Sequence, residues 1–246
     1  MVLPRRRKGL KRGLDRAVAS VLDHARLNYL MAWLRYRDRP NSVFLKLPKT
    51  AGTSIRLALG IPKYKKVRSV RCSFPQTGPV TFEHLDYKQL LDRGLVSPEF
   101  DATAFKFTFV RNPFDRMVSL YHYLKRRGRL SKSITFLGFC RLVDRTDVDP
   151  VGLVNALNLS QCNPQVRWTE HIALDYVGRF ERLEAGVREV AERLEIPFAD
   201  LPHERASVRT DYVRYYCDES LDIVKRLYAE DFVAFDYDSA ELDRGR

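Results

Sequence analysis

Two stretches of this chain place anion-binding residue types where a strand would hand over to a helix. The first is Pro48-Lys49-Thr50-Ala51-Gly52-Thr53-Ser54. A turn of this kind can aim several backbone N–H groups at one anion, and the helix N-terminus behind it adds favourable partial charge. Gly52 would let the backbone approach the ligand closely, Lys49 would supply a mobile cation, and Thr50, Thr53 and Ser54 would supply hydroxyl donors. The plainer alternative is an ordinary strand–helix turn with Thr53 or Ser54 as the N-cap. The second stretch centres on Arg111, which can hold a phosphate through two N–H donors, with Ser119 eight residues on. Its alternatives are an Arg111–Asp115 ion pair and Ser119 as a small packing residue.

The nucleotide-loop order G-x-x-x-x-G-K-[ST] is absent, and no apolar strand ends in a metal-binding aspartate. A magnesium-dependent NTPase is thereby disfavoured, whereas a related cradle for another anionic nucleotide is not.

These residues need elements to position them. Ser42–Leu47 reads as a short buried strand closed by Pro48, and Ile55–Leu59 opens a helix that ends at Gly60-Ile61-Pro62. Thr81–Leu85 is a second short strand, followed by a helix near Asp86–Arg93 that ends at Gly94. Ala104–Arg111 is the strongest strand signal. After it Asn112 suits an N-cap and Pro113 the first helical position, and Phe114, Met117, Val118, Tyr121 and Leu124 stripe the helix as far as Gly128. Asp175–Phe180 is a further strand, Leu183–Leu194 a helix, and Glu219–Phe232 a last helix. Strands alternating with helices predict an α/β fold with a mainly parallel sheet.

The chain has 246 residues, of which 45% are hydrophobic and 11% aromatic. That predicts one packed domain rather than disorder. The net charge of +12 is unevenly spread: residues 1–40 carry +8 and the rest only +4. The division is therefore a basic arm with an amphipathic helix over 1–40 and a single domain over 41–246. The helix, near Asp15–Tyr36, would pack on the domain or lie on a membrane surface. No run of eighteen apolar residues predicts a membrane span, and no apolar core behind the basic N-terminus predicts a secretory signal. The four cysteines are scattered, which fits free thiols in a reducing compartment and no structural zinc.

The segment Leu47-Pro-Lys-Thr-Ala-Gly-Thr-Ser-Ile55 resembles the 5′-phosphosulfate loop of sulfotransferases that use 3′-phosphoadenosine 5′-phosphosulfate (PAPS). Phe109-Val-Arg-Asn-Pro-Phe-Asp-Arg-Met-Val-Ser-Leu-Tyr121 resembles their 3′-phosphate segment, and Tyr176–Leu183 and Leu227–Phe232 are similar to their C-terminal half. The likeness is to family 2, the carbohydrate sulfotransferases that include the heparan sulfate 2-O and chondroitin enzymes, over residues 42–238. It implies a P-loop-NTPase-like core, PAPS as co-substrate, no metal, and a hydroxyl acceptor on a glycan or glycolipid. Lys49 would neutralise the departing phosphate, the backbone of Thr50, Ala51, Gly52, Thr53 and Ser54 would hold it, and Arg111 and Ser119 would bind the 3′-phosphate. The resemblance puts the catalytic histidine at His84. The family often has Gly-His there, and Glu83 in its place leaves Glu83 open as base or orienting partner; His84 could also be a cap or core residue. Arg167, Ser207 and Arg209 fall in regions connected with the adenine pocket and a covering loop.

Lys125, Arg126, Arg127, Arg129 and Lys132 form either a solvated helix end or a basic rim for an acidic acceptor. The competing classes are a kinase or other P-loop NTPase, and a polyanion-binding protein whose basic arm grips nucleic acid without sequence preference. The family's animal members are usually Golgi-anchored by a membrane span. Without one in this chain, the expected location is the cytoplasm, with peripheral membrane contact through residues 15–36; the Golgi lumen is the alternative.

Overall fold

The computed structural model describes residues 34–64, 76–83, 87–145, 160–198, 201 and 212–243. The basic arm, most of the N-terminal helix, His84, Ser207 and Arg209 lie outside the described residues, as does the side chain of Glu83.

In chain order the elements are β1 (Ser42–Lys46), α1 (Gly52–Ala58), β2 (Lys63–Tyr64), β3 (Pro79–Glu83), α2 (Tyr87–Asp92), α3 (Pro98–Thr103), β4 (Phe105–Val110), α4 (Pro113–Arg126), α5 (Phe136–Asp144), β5 (Tyr176–Arg179), α6 (Leu183–Arg193), α7 (Asp218–Leu227) and α8 (Ala229–Ala234). The five strands form one sheet in the order β2-β3-β1-β4-β5, parallel at every pairing. The predicted α/β class with a parallel sheet is what the chain adopts.

Every residue of β1 is buried, as a strand covered on both faces must be. Phe44, Phe107 and Phe109 face Ile55 and Ala58 of α1, the following Leu59, and Val187, Val190 and Ala191 of α6. Val43, Leu45, Val80 and Phe82 meet Tyr87, Leu90 and Phe100 on the other face. The two buried threonines in the sheet satisfy their hydroxyls locally: Thr81 donates to the Phe44 carbonyl at 2.9 Å and Thr108 to the Leu45 carbonyl at 2.8 Å. A third cluster joins α4 to α5, α7 and α8 through Phe114, Met117, Leu124, Phe139, Val224 and Phe232.

The structure departs from the sequence reading in several places, among them α3 and β2, which that reading does not contain. Helix α1 begins at Gly52, so Thr53 and Ser54 lie in its first turn, and its N-cap is Ala51 rather than either hydroxyl residue. The long stretch after Gly128 contains α5, capped by the Thr135 side chain on the Gly138 N–H. The last helix is two: Tyr228 stands between α7 and α8, its hydroxyl donating to the Cys162 carbonyl at 2.8 Å.

Strand order decides where a ligand can sit. From β1 the chain moves outward to β2 and β3 on one side, then returns to build β4 and β5 on the other. The crevice at the carboxyl ends of β1 and β4 is the switch point at which open parallel sheets bind ligands. Lys49 of the first stretch and Arg111 of the second both emerge there.

Candidate active site

Lys49 and Ala51 both take the left-handed conformation, at φ 71° and φ 60°. Non-glycine residues hold this conformation only where the surroundings impose it, at a cost of about 1–3 kcal/mol each. Alternation of right- and left-handed residues turns successive N–H groups into one concavity, the backbone arrangement that receives phosphate. The loop is fastened from three directions. Thr50, fully buried, donates its hydroxyl to the Leu47 carbonyl at 3.1 Å; Arg111 Nη1 donates to the Lys49 carbonyl at 3.2 Å; and Arg116 Nε donates to the Pro48 carbonyl at 3.3 Å. The Thr50 hydroxyl therefore points inward rather than serving as a donor to a ligand. Of the three hydroxyls, Thr53 is exposed and Ser54 half-buried.

Gly52 answers to a neighbour as well as to any ligand. A Cβ at this position would stand 2.5 Å from Lys46 Cγ and 2.9 Å from Cε. The stem of Lys46, itself buried at 8% exposure, occupies the space. Lys46 is a second lysine beside the loop that the sequence reading passed over, because its place in an apolar strand reads as core. Glu83 stands opposite it in the β1–β3 register.

Arg111, directly after β4, is buried, and its guanidinium stacks on Phe180 with Cζ 3.8 Å from the ring centroid. Nε donates to Asp115 at 2.7 Å and Nη2 pairs with the same carboxylate at 2.5 Å. With Nη1 on Lys49, three of the five N–H donors of a guanidinium are used, and two remain among the described residues. The ion pair with Asp115 thus orients Arg111 without exhausting it. The backbone of Arg111 is gripped by Gln165, which accepts from its N–H and donates to its carbonyl, each at 2.9 Å. Ser119 is buried on α4, at 3% exposure.

Lys49 Nζ lies 4.4 Å from the centroid of the Tyr123 ring, and Arg127 Cζ lies 5.5 Å from the same ring. One aromatic side chain thereby joins the loop lysine to the basic run that follows α4. Lys125 is engaged internally with the Tyr121 hydroxyl and the Ile134 carbonyl. Arg126, Arg127, Arg129 and Lys132 are exposed, and no Asp or Glu occurs anywhere from Arg116 to Val143.

On the far side of Asp115 a depression of about 350 Å³ is lined by Asn112, Arg179, Tyr212 and Tyr237 together with Glu181, Asp236, Asp238 and Glu241. Its carboxylates brace the chain: Glu181 accepts from the Asn112 N–H and the Tyr237 hydroxyl, and Glu241 accepts from Asn112 Nδ2 and the Tyr212 hydroxyl. So acidic a hollow repels an anionic nucleotide. Arg167 is exposed and pairs with Glu170 and Glu230, away from the bonds that hold the loop. Among the described residues no three His, Cys, Asp or Glu side chains gather as metal ligands would, and no helix is long and apolar enough to cross a membrane.

The chain matches the model of the Sulfotransferase family over residues 34–238. Its fold is similar to that in a crystal structure of mouse sulfotransferase SULT7A1 complexed with PAP, with a TM-score of 0.53 at 16% identity over 89% of this chain and 93% of that one. A crystal structure of a sulfotransferase from Alicyclobacillus acidocaldarius aligns at 17% identity over 84% of this chain and 99% of that one, with a TM-score of 0.49. Among curated proteins none matches the chain.

Proposed function

Since the chain belongs to the sulfotransferase family, we propose that it moves a sulfuryl group from PAPS to an acceptor hydroxyl, releasing adenosine 3′,5′-bisphosphate (PAP). The observation that carries this reading is the hydrogen bond from Arg111 to the Lys49 carbonyl. It joins the loop suited to the 5′-phosphosulfate directly to the side chain suited to the 3′-phosphate. A nucleotide bearing phosphate at both ends of its ribose meets both at once.

In this reading the acceptor oxygen bonds to sulfur as the bond from sulfur to the 5′-phosphate oxygen breaks. Negative charge grows on that phosphate oxygen, and the Lys49 ammonium neutralises it where the loop backbone already holds the phosphate. The two uncommitted N–H groups of Arg111 take the 3′-phosphate. The acceptor proton passes to His84, since an imidazole suits a transfer near neutral pH. In the sequence His84 comes directly after Glu83, the last residue of β3. Glu83 is the alternative base or its orienting partner.

The acceptor we propose is a carbohydrate bearing negative charge. The support is the stretch from Arg116 to Val143, devoid of carboxylates, in which the exposed Arg127 shares the Tyr123 ring with Lys49. Such a rim raises the local concentration of a uronate- or sulfate-bearing chain beside the transferred group.

Calorimetric titration with PAP, against ATP plus magnesium, tests the nucleotide. Micromolar PAP binding with far weaker ATP binding is expected, and preference for magnesium-ATP would overturn the reading in favour of a kinase. Sulfate transfer from labelled PAPS to uronate-bearing and to neutral glycans then tests the acceptor.

A further inference from the structure

The largest fully buried side chain among the described residues is an arginine, Arg116, at 1% exposure on α4. Burying a guanidinium is costly unless close partners compensate it, yet no carboxylate among the described residues lies within ion-pair distance of this one. Its bonds go to three main-chain carbonyls: Nε to Pro48 at 3.3 Å, and Nη2 to Gln161 at 3.0 Å and Asn163 at 2.8 Å. Its Cζ lies 5.6 Å from the Tyr228 ring centroid. Such an expensive group, spent on carbonyls, fixes the path of the backbone that carries them.

The segment it grips continues into Gln165, which holds the Arg111 backbone, and into Asp231, which accepts from the N–H groups of Gln165 and Val166 at 2.8 and 2.9 Å. The stretch 161–166 is thereby a brace behind both nucleotide motifs. Arg116 ties it to the loop, and Gln165 ties it to the end of β4.

The geometry points to Arg116 as a positioning residue for the 5′-phosphate, acting through the Pro48–Lys49 peptide. A trans peptide is planar, so its C=O and N–H point in opposite directions. By holding the Pro48 carbonyl inward, Arg116 turns the Lys49 N–H outward into the concavity of the loop, and it keeps Lys49 in the left-handed conformation that exposes this N–H. The inference rests on the loop being the 5′-phosphate site, and its test separates the two.

Arg116→Lys keeps the charge, but one ammonium cannot span the Pro48 carbonyl and those of Gln161 and Asn163; Arg116→Gln removes the charge as well. Each variant is titrated with PAP and with adenosine 3′-phosphate, which lacks the 5′ group. Loss of one charge-assisted contact corresponds to about tenfold to a hundredfold in affinity. The expected result is that PAP binding weakens by that factor in both variants while adenosine 3′-phosphate binding stays within about twofold. A purely structural arginine would weaken both nucleotides alike, and that result, or unchanged PAP binding, would overturn the inference. In the wild-type protein the Lys49 amide proton should shift downfield when PAP is added and stay in place with adenosine 3′-phosphate. An unmoved amide would overturn the inference even if neither variant folded. Wild-type protein that binds neither nucleotide would instead refute the sulfotransferase site itself.

Discussion

Gly52→Ala puts a methyl group where the stem of Lys46 runs. The new Cβ would sit 2.5, 2.9 and 3.1 Å from Cγ, Cε and Cδ of Lys46, against about 3.5–4.0 Å for relaxed carbon–carbon contact. The stem must therefore retreat by about 1 Å from a position that is 8% exposed. Overpacking of this kind costs about 1–3 kcal/mol, and the helical preference of alanine over glycine returns about 0.5–1 kcal/mol at most. The net loss should be about 1.5 kcal/mol, or a fall of about 3–6 °C in Tm for a chain of this size. Thermal melts of Gly52→Ala, Lys46→Ala and the double variant give the coupling between the two positions. With the stem removed, the methyl group should cost nothing or stabilise. If Gly52→Ala costs as much in the Lys46→Ala background as in the wild type, Lys46 is not what demands glycine here.

Lys49→Ala should lower kcat about 10²–10³-fold while PAP affinity falls by less than tenfold; equal losses in the two would argue against charge neutralisation on the leaving phosphate. Arg111→Ala should weaken PAP binding about tenfold more than AMP binding, since AMP has no 3′-phosphate and loses only the bond that Arg111 makes to the loop at the Lys49 carbonyl; calorimetry with both nucleotides decides, and equal losses would refute the 3′-phosphate contact. His84→Ala should cut turnover about 10²–10⁴-fold with PAP binding intact, whereas a dead Glu83→Ala beside an active His84→Ala would move the base to Glu83. At the exposed N-cap of α7, hydrogen bonds from Ser220 hold the Cys217 thiol below the ordinary range, while burial pushes Cys140 up to about 12. Since the thiolate is what reacts, iodoacetamide should label Cys217 with a half-maximal rate below the pH of an ordinary thiol and should spare Cys140. Ser220→Ala should move the Cys217 profile to higher pH, and peptide mapping across a pH series checks both statements.

The parts of this fold that were legible from sequence are those whose causes are local. β1 and β4 are apolar runs bounded by Pro-Asn and Asn-Pro breaks. The start of α4 is written in Asn112, whose side chain accepts from the Phe114 N–H at 2.9 Å, and in Pro113. Two helices that went unread carry the same local signals in weaker form. Ser97-Pro98 caps α3, a helix of six residues with only one fully buried. Thr135 caps α5, whose buried Phe136, Phe139, Cys140 and Val143 repeat at helical spacing within a run of only nine residues. Brevity left both below the length at which periodicity separates helix from loop.

What the sequence could not yield is the set of positions whose conformation is imposed from a distance. Nothing near Ala51 predicts a left-handed N-cap; Ser or Thr at 53 or 54 is the better local candidate. The loop takes its shape because Arg111 and Arg116, sixty-two and sixty-eight residues from the carbonyls they hold, pull on two successive peptides. The break at Tyr228 has the same origin, a hydroxyl reaching sixty-six residues back to Cys162. It leaves Asp231 on α8 facing the N–H groups of Gln165 and Val166, where burial raises its pKa against the opposing pull of Arg116 and those N–H groups. Arg111 and Arg116 are five residues apart on one motif and look equivalent in sequence. Only the fold assigns them different tasks: Arg111 is engaged by Asp115 and the Lys49 carbonyl and keeps two donors unused among the described residues, whereas Arg116 divides its bonds between the Pro48 carbonyl of the loop and the carbonyls of Gln161 and Asn163.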